Sequence, residues 1–355
     1  MPARARPQRS SPVLPSDHGA TSGEESTAQP LISIVLTGRN DGYGGDFIAR
    51  FHRTLSFNHH HLAAWNIAHE ILFVEWAPPT GAPYLFDLTR RAVDDIDWGV
   101  VSWFIVDPRY HAALSLNPRL EYLEFLAKNV AIRRARGRFV LTTNCDVYLG
   151  RHVLDVMCSP GLQSGIVYRA PRFDIKFAAD YSGLDWDVLE DPRNLDGVPK
   201  PLKPPFMGGG TGDFVLMDRA SFHEIRGFNE VYRAARFGID HNVLVKALSI
   251  GLAIEDIGGP VYHINHAGSY RLTAGVYAGR EAEAPWGNSR WHSRGVVYVN
   301  PDTWGLAKAP MREGVERCRH LDFSWDAVPP LVDLKRVVLP AARMGAPAPG
   351  RYVSR

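Results

Sequence analysis

Apolar positions along this chain fall into short runs closed by polar turns, alternating with stretches of helical spacing. Leu31-Ile32-Ser33-Ile34-Val35-Leu36 ends in Thr37-Gly38-Arg39-Asn40-Asp41-Gly42 and predicts a buried strand followed by a turn-rich loop. Asp46 is placed to cap a helix carrying Phe47, Phe51 and Leu55, and His59-His60-His61 is expected in an exposed loop beyond it. Ile71-Leu72-Phe73-Val74 predicts a second strand, halted by Pro78-Pro79, and Val100 to Val106 a third, stopped at Asp107-Pro108. A helix from about Leu120 to Arg136 ends at Gly137 and leads into a fourth strand, Phe139-Val140-Leu141-Thr142. Strands alternating with helices predict an α/β fold of Rossmann-like type, a mainly parallel sheet with helices on both faces.

In such sheets ligands lie beyond the carboxyl ends of the strands. That singles out Thr37 to Asp41, Glu75, and Asn144 to Asp146, all polar and all directly after a strand. Farther on, Ile166-Val167-Tyr168 and Phe214-Val215-Leu216-Met217 predict strands, Asp240 to Ile250 a helix ended by Gly251, and Asp180 to Phe206 a long Pro-, Asp- and Gly-rich loop.

Composition narrows the classes. With 355 residues, 45% of them hydrophobic, the chain is long enough for one large domain with a subdomain. Lys and Arg number 40 against 38 Asp and Glu, a net charge of +2, which lacks the basic stripe of a nucleic-acid-binding protein. Cys145, Cys158 and Cys318 are too few and too widely spaced for a disulfide framework or a zinc cluster, so a reducing compartment is expected. No apolar run approaches the roughly 20 residues of a membrane span. Met1 to Pro30 has arginines but no apolar signal core, and its composition predicts a disordered tail. Ala341 to Arg355 is expected to be similarly loose, and the protein to be cytoplasmic.

The turn Thr143-Asn144-Cys145-Asp146 offers an acid at a strand's carboxyl end, where Mg²⁺ or Mn²⁺ can bridge protein carboxylates and phosphates. By composition alone it is an ordinary Asn/Asp turn. The residues ahead of it, Ala127-Lys128-Asn129-Val130 through Arg136-Gly137-Arg138-Phe139-Val140-Leu141, change that. Together with Leu31 to Asn40 and the acid after the second strand, they resemble the family 2 glycosyltransferases, where an Arg/Lys-Asn-x-Gly helix runs into a strand and an Asp-x-Asp metal motif. A second block, Gly212-Asp213-Phe214-Val215-Leu216-Met217-Asp218-Arg219 with Phe222 and Gly227-Phe228-Asn229-Glu230, resembles the C-terminal half of galactosyl- and N-acetylgalactosaminyltransferase-like GT-A enzymes. The Met207-Gly208-Gly209-Gly210 run before it permits close backbone approach to a ligand.

The resemblance implies a GT-A fold, a nucleotide-diphosphate sugar as donor, and a glycan, lipid-linked or small-molecule acceptor. The expected organisation is a tail over 1–30, a nucleotide-sugar half over 31–150, an acceptor and catalytic half over 151–310, and an extension over 311–355. Asp146 matches the motif's metal-binding Asp, while Asn144 stands where the first Asp would be; a neutral amide with one acceptor oxygen binds metal less well and suits a ribose hydroxyl. Glu75 matches the acid that accepts the uracil N3–H, which favours UDP. Thr37, Arg39, Asn40 and Asn129 follow as nucleotide contacts. Asp240, in Phe237-Gly238-Ile239-Asp240-His241-Asn242, matches the base that takes the acceptor proton in an inverting transfer, although Ile239 replaces the usual paired acid. Asp240 also sits where a helix N-cap belongs. His263 or His266 adds a nitrogen ligand that favours Mn²⁺ over Mg²⁺; strand alternation allows both only if the chain turns between them. Trp286, Trp291 and Trp304 suit sugar stacking or core packing alike.

Two other classes stay open. A sugar nucleotidyltransferase needs a Gly-rich, basic phosphate loop after the first strand, and Thr37 to Asp41 holds one Gly and one Arg. A non-catalytic nucleotide-sugar- or glycan-binding protein derived from a transferase would account for the departures at Asn144 and Ile239.

Overall fold

The structure, a computed structural model, describes residues 29–118, 120–176, 184–197, 202–203, 211–233, 239–266 and 298–331. Most of the expected N-terminal tail, much of the 180–206 loop, Gly208-Gly209-Gly210, Phe237-Gly238, Trp286, Trp291 and the stretch from Ala341 lie outside these.

In chain order the first half runs β1 (Ile32–Gly38), α1 (Phe47–Ala64), β2 (His69–Trp76), α2 (Leu85–Ala92), β3 (Val101–Val106), α3 (Pro108–Leu114), α4 (Glu124–Arg134) and β4 (Phe139–Thr142). Then come β5 (Val147–Leu149), α5 (Arg151–Cys158), β6 (Ile166–Arg169), β7 (Arg172–Ile175), α6 (Trp186–Leu189), β8 (Val215–Asp218) and α7 (Arg219–Glu224). The last are α8 (Ile239–Ser249), β9 (Ala253–Asp256), β10 (Val261–Ile264), β11 (Met311–Glu313) and β12 (Cys318–Leu321).

Among the described residues one sheet has the order β11-β12-β3-β2-β1-β4-β8-β6-β9. Every pairing from β12 across to β4 is parallel, and β8 is antiparallel to both its neighbours. Alternation along the central strands divides the core in two. Ile34, Leu36, Ile71 and Phe73 meet Phe51 and Leu55 of α1 and Leu85 and Phe86 of α2 on one face. Val35, Leu72 and Val74 pack with Leu126 and Val130 of α4, Phe222 of α7 and Val243 and Leu244 of α8 on the other. Each such fully buried side chain contributes about 1.5–3 kcal/mol, and a slip of one residue would turn every one of them to the opposite face. The α/β class with a large, mostly parallel sheet and helices on both faces is the one the sequence predicts.

One local expectation differs, and one open choice is decided. His59-His60-His61 lies within α1, not in a loop, and His59 is buried with Nδ1 3.1 Å from His69 Nε2. Trp304 is a core residue, its ring 5.4 Å from that of His223 and covered by Arg133. Among the described residues no helix is long and apolar enough to cross a membrane.

The second, three-stranded sheet positions the site. β5 starts one residue after Asp146, and β10 pairs antiparallel to β5 and parallel to β7. That register sets His263 opposite both Val147 and Asp174.

Candidate functional site

Asp146, His263 and His266 converge where β5 and β10 meet. His266 Nε2 lies 3.1 Å and His263 Nε2 3.6 Å from Asp146 Oδ2. Potential ligand atoms of all three fall within 4.8 Å of one another. Ligands about 2.1 Å from one ion sit roughly 3 Å apart at adjacent positions, so this spacing fits a single divalent cation. One carboxylate oxygen with two imidazoles suits Mn²⁺ better than Mg²⁺. Both histidines reach it: β10 ends at Ile264, so strand alternation does not govern the placing of His266.

Asp174 Oδ1 lies 3.1 Å from His263 Nδ1. Arg172 Nη2, which can only donate, lies 2.8 Å from the same Nδ1, so a carboxylate and a guanidinium together hold this edge of the ring while Nε2 faces Asp146. Arg172 bridges Asp174 Oδ1 and Asp213 Oδ2, through Nε at 2.8 Å and Nη1 at 2.9 Å. Burial alone would raise the Asp146 carboxyl, but His263 and His266 hold it well below the usual range. Burial lowers His263, and the charge of Asp146 overrides it, bringing the ring up to about 8.

The loop after β1 closes against this cluster. Gly44 has φ +71, and a Cβ there would stand 2.6 Å from His266 Nδ1 and 2.8 Å from Arg50 Nη2. Arg50 is almost wholly buried, with Nε 3.9 Å from Asp146 Oδ2. Only glycine allows both that dihedral and that approach.

A second group joins the segment at Gly212-Asp213 to the same turn. Lys128 Nζ donates to Asn144 Oδ1 at 2.8 Å and to the Gly212 carbonyl at 3.0 Å, and pairs with Glu124 at 2.8 Å, which uses all three of its protons. Asn144 Nδ2 donates to Asp213 Oδ1 at 2.8 Å. Thr143 Oγ1 donates to the Asp213 carbonyl at 2.7 Å. Asp240 Oδ2 accepts from Gly212 N at 3.0 Å. Asp240 lies in the first turn of α8, and burial raises its carboxyl above the ordinary value. Contacts therefore run without a break from His266 to Asp240.

Other residues picked from the sequence sit elsewhere. Asn129 is buried between α4 and the Gly-Phe-Asn-Glu segment, donating to the Phe228 carbonyl and Glu230 and accepting from Phe228 N. Thr37 carries a hydrogen bond from the Tyr122 hydroxyl, and its carbonyl accepts from Cys145 Sγ. Arg39 Nε donates to the Ala77 carbonyl and its head pairs with Glu121, while Asn40 Nδ2 donates to the Pro83 carbonyl. These three line the ends of β1 and β2 without contacting the metal-type cluster.

Glu75 is fully buried. Its oxygens accept from Leu85 N at 2.8 Å, Phe86 N at 3.4 Å and Trp103 Nε1 at 3.3 Å, so it serves the first turn of α2. Burial pushes its carboxyl up to about 7, with these donors pulling the other way. A folded value above the ordinary 4.5 means a contribution present below about pH 4.5 and lost as pH rises to about 7. The loss is on the order of 3 kcal/mol. Thermal melts across that window should show wild type losing stability relative to Glu75→Gln. A difference that does not change with pH would sink the assignment.

Lys128, Asp213, Arg172, Asp174 and Arg50 carry the network, and pattern reading did not single them out. The local signal for this site is Gly44, a glycine just beyond the polar turn after β1.

No family profile matches the sequence, and no curated protein matches it. Among solved structures the chain is similar to GalNAc-T7 with UDP, GalNAc and Mn²⁺, at 15% identity and a TM-score of 0.43. The match covers 74% of this chain and 53% of that one, so the chain spans about half the length of that protein.

Proposed function

We propose that the chain is a metal-dependent glycosyltransferase of the GT-A type, moving a sugar from a nucleotide diphosphate to a hydroxyl of a glycan, lipid-linked or small-molecule acceptor. The observation that carries this reading is the Asp146–His263–His266 cluster beyond the carboxyl ends of parallel strands, tied through Asn144, Asp213 and Gly212 to Asp240. A bound Mn²⁺ would be held by Asp146, His263 and His266 and would neutralise the diphosphate as it leaves. Asp240 accepts the acceptor hydroxyl's proton while the new glycosidic bond forms and the bond to the diphosphate oxygen breaks. Attack from the face opposite the leaving group inverts the anomeric centre. The raised basicity of a buried carboxylate favours that proton transfer.

UDP is implied as donor only through Glu75. Glu75 is committed to the Leu85 and Phe86 amides and lends that choice no support, so the base is decided by titration. Calorimetry with UDP, GDP, CDP and TDP, each with and without Mn²⁺, should give tight binding of one nucleotide only with the metal. Failure of all four to bind would remove the transferase reading.

One observation favours a second reading, a nucleotide-sugar-binding protein without turnover. Asp240 already accepts from Gly212 N, and its neighbour is the apolar Ile239. Metal-dependent nucleotide binding with no transfer or hydrolysis of the sugar donor across an acceptor panel would establish it.

A further inference from the structure

We propose that Asp213 supplies, from a separate element, the carboxylate that the turn lacks at position 144, and that the Asn144–Asp213 pair positions the metal-binding residues. The metal role rests on the function proposed above; the pairing itself does not.

Asn144 has one orientation that satisfies its surroundings. Its carbonyl oxygen meets the Lys128 ammonium and its NH₂ meets Asp213, both at 2.8 Å. A flipped amide would face donor to donor on one side and acceptor to acceptor on the other. Asp213 is buried, and its other oxygen takes Arg172 Nη1 at 2.9 Å. Arg172 in turn fixes Asp174, which lies 3.1 Å from His263 Nδ1. Asp213 thus anchors the guanidinium that steadies the support of one ligand ring, while its other oxygen takes the donor at 144.

An acid at 144 would restore the family's paired-acid motif by sequence and break this arrangement by structure. Two carboxylates would face each other across the present 2.8 Å contact, competing for Arg172 and Lys128. Exchanging the two residues keeps the charge and every donor–acceptor match. The amide at 213 would accept from Arg172 and donate to the acid at 144, and that acid would keep Lys128.

The test compares wild type, Asn144→Asp, Asp213→Asn and the double exchange. Each is titrated with Mn²⁺ alone by calorimetry and melted without metal. Asn144→Asp should bind Mn²⁺ about 10-fold to 100-fold more weakly and melt lower. The double exchange should recover both properties, with affinity within about threefold of wild type. Asn144→Asp binding Mn²⁺ as tightly as wild type, or tighter, overturns the positioning role. Additive melting shifts in the double exchange overturn the pair. Wild type that takes up no Mn²⁺ refutes the function above and the metal role with it, while coupled melting shifts would still uphold the pair.

Discussion

Asp146→Asn is expected to abolish Mn²⁺-dependent binding of the nucleotide diphosphate. Asp146 is the only anion among the three clustered groups, and both imidazoles point their Nε2 atoms at its Oδ2. An amide in its place removes the charge that opposes a divalent cation and leaves one acceptor oxygen. The expected loss is about 100-fold or more, about 2.7 kcal/mol. The local backbone should persist, since the Asp146 carbonyl that accepts from Ile264 N is untouched. Calorimetry of the variant should match that of wild type stripped with a chelator. Unchanged affinity, with a normal melting curve, would remove the metal assignment and leave the histidines as structural partners of the acid.

The second large effect is on transfer without binding. Asp240→Asn keeps an oxygen that can accept from Gly212 N, so the junction between α8 and the Gly212 turn should hold. What disappears is the basic carboxylate. Loss of a general base lowers turnover by about 10²- to 10⁴-fold, and donor affinity should stay within about twofold. A fall in turnover with an unchanged dissociation constant places Asp240 on the reacting hydroxyl. Retained turnover would reduce it to a link between Gly212 and the first turn of α8.

The parts of this protein that depend on neighbours in sequence were legible in the sequence. The central strands declare themselves by nearly continuous apolar runs, broken at Ser33 and Ser102, because a strand covered on both faces has no polar side to show. The Asn144–Asp146 turn was legible for the related reason that ligands in a parallel sheet collect beyond the carboxyl ends of its strands. Asp240 and the His263–His266 pair stood out through motif resemblance, although alternation alone allowed only one of the histidines. With β10 ending at Ile264, both rings lie beside Asp146.

Burial and partnership belong to the tertiary structure. Glu75 and Asn129 have the residue types and positions of ligand contacts, and folding buries both among backbone groups that needed acceptors or donors. His59 looks exposed in a His-rich, polar stretch, yet α1 turns it toward His69. Asn144 reads locally as a weakened metal motif; only folding brings Asp213, 69 positions away, to its amide, and sets Lys128 on its oxygen. Side-chain periodicity is a property of one segment, so it identifies strands and helices. A charge network spans segments, and its members are chosen by three-dimensional proximity and the need to satisfy buried polar groups.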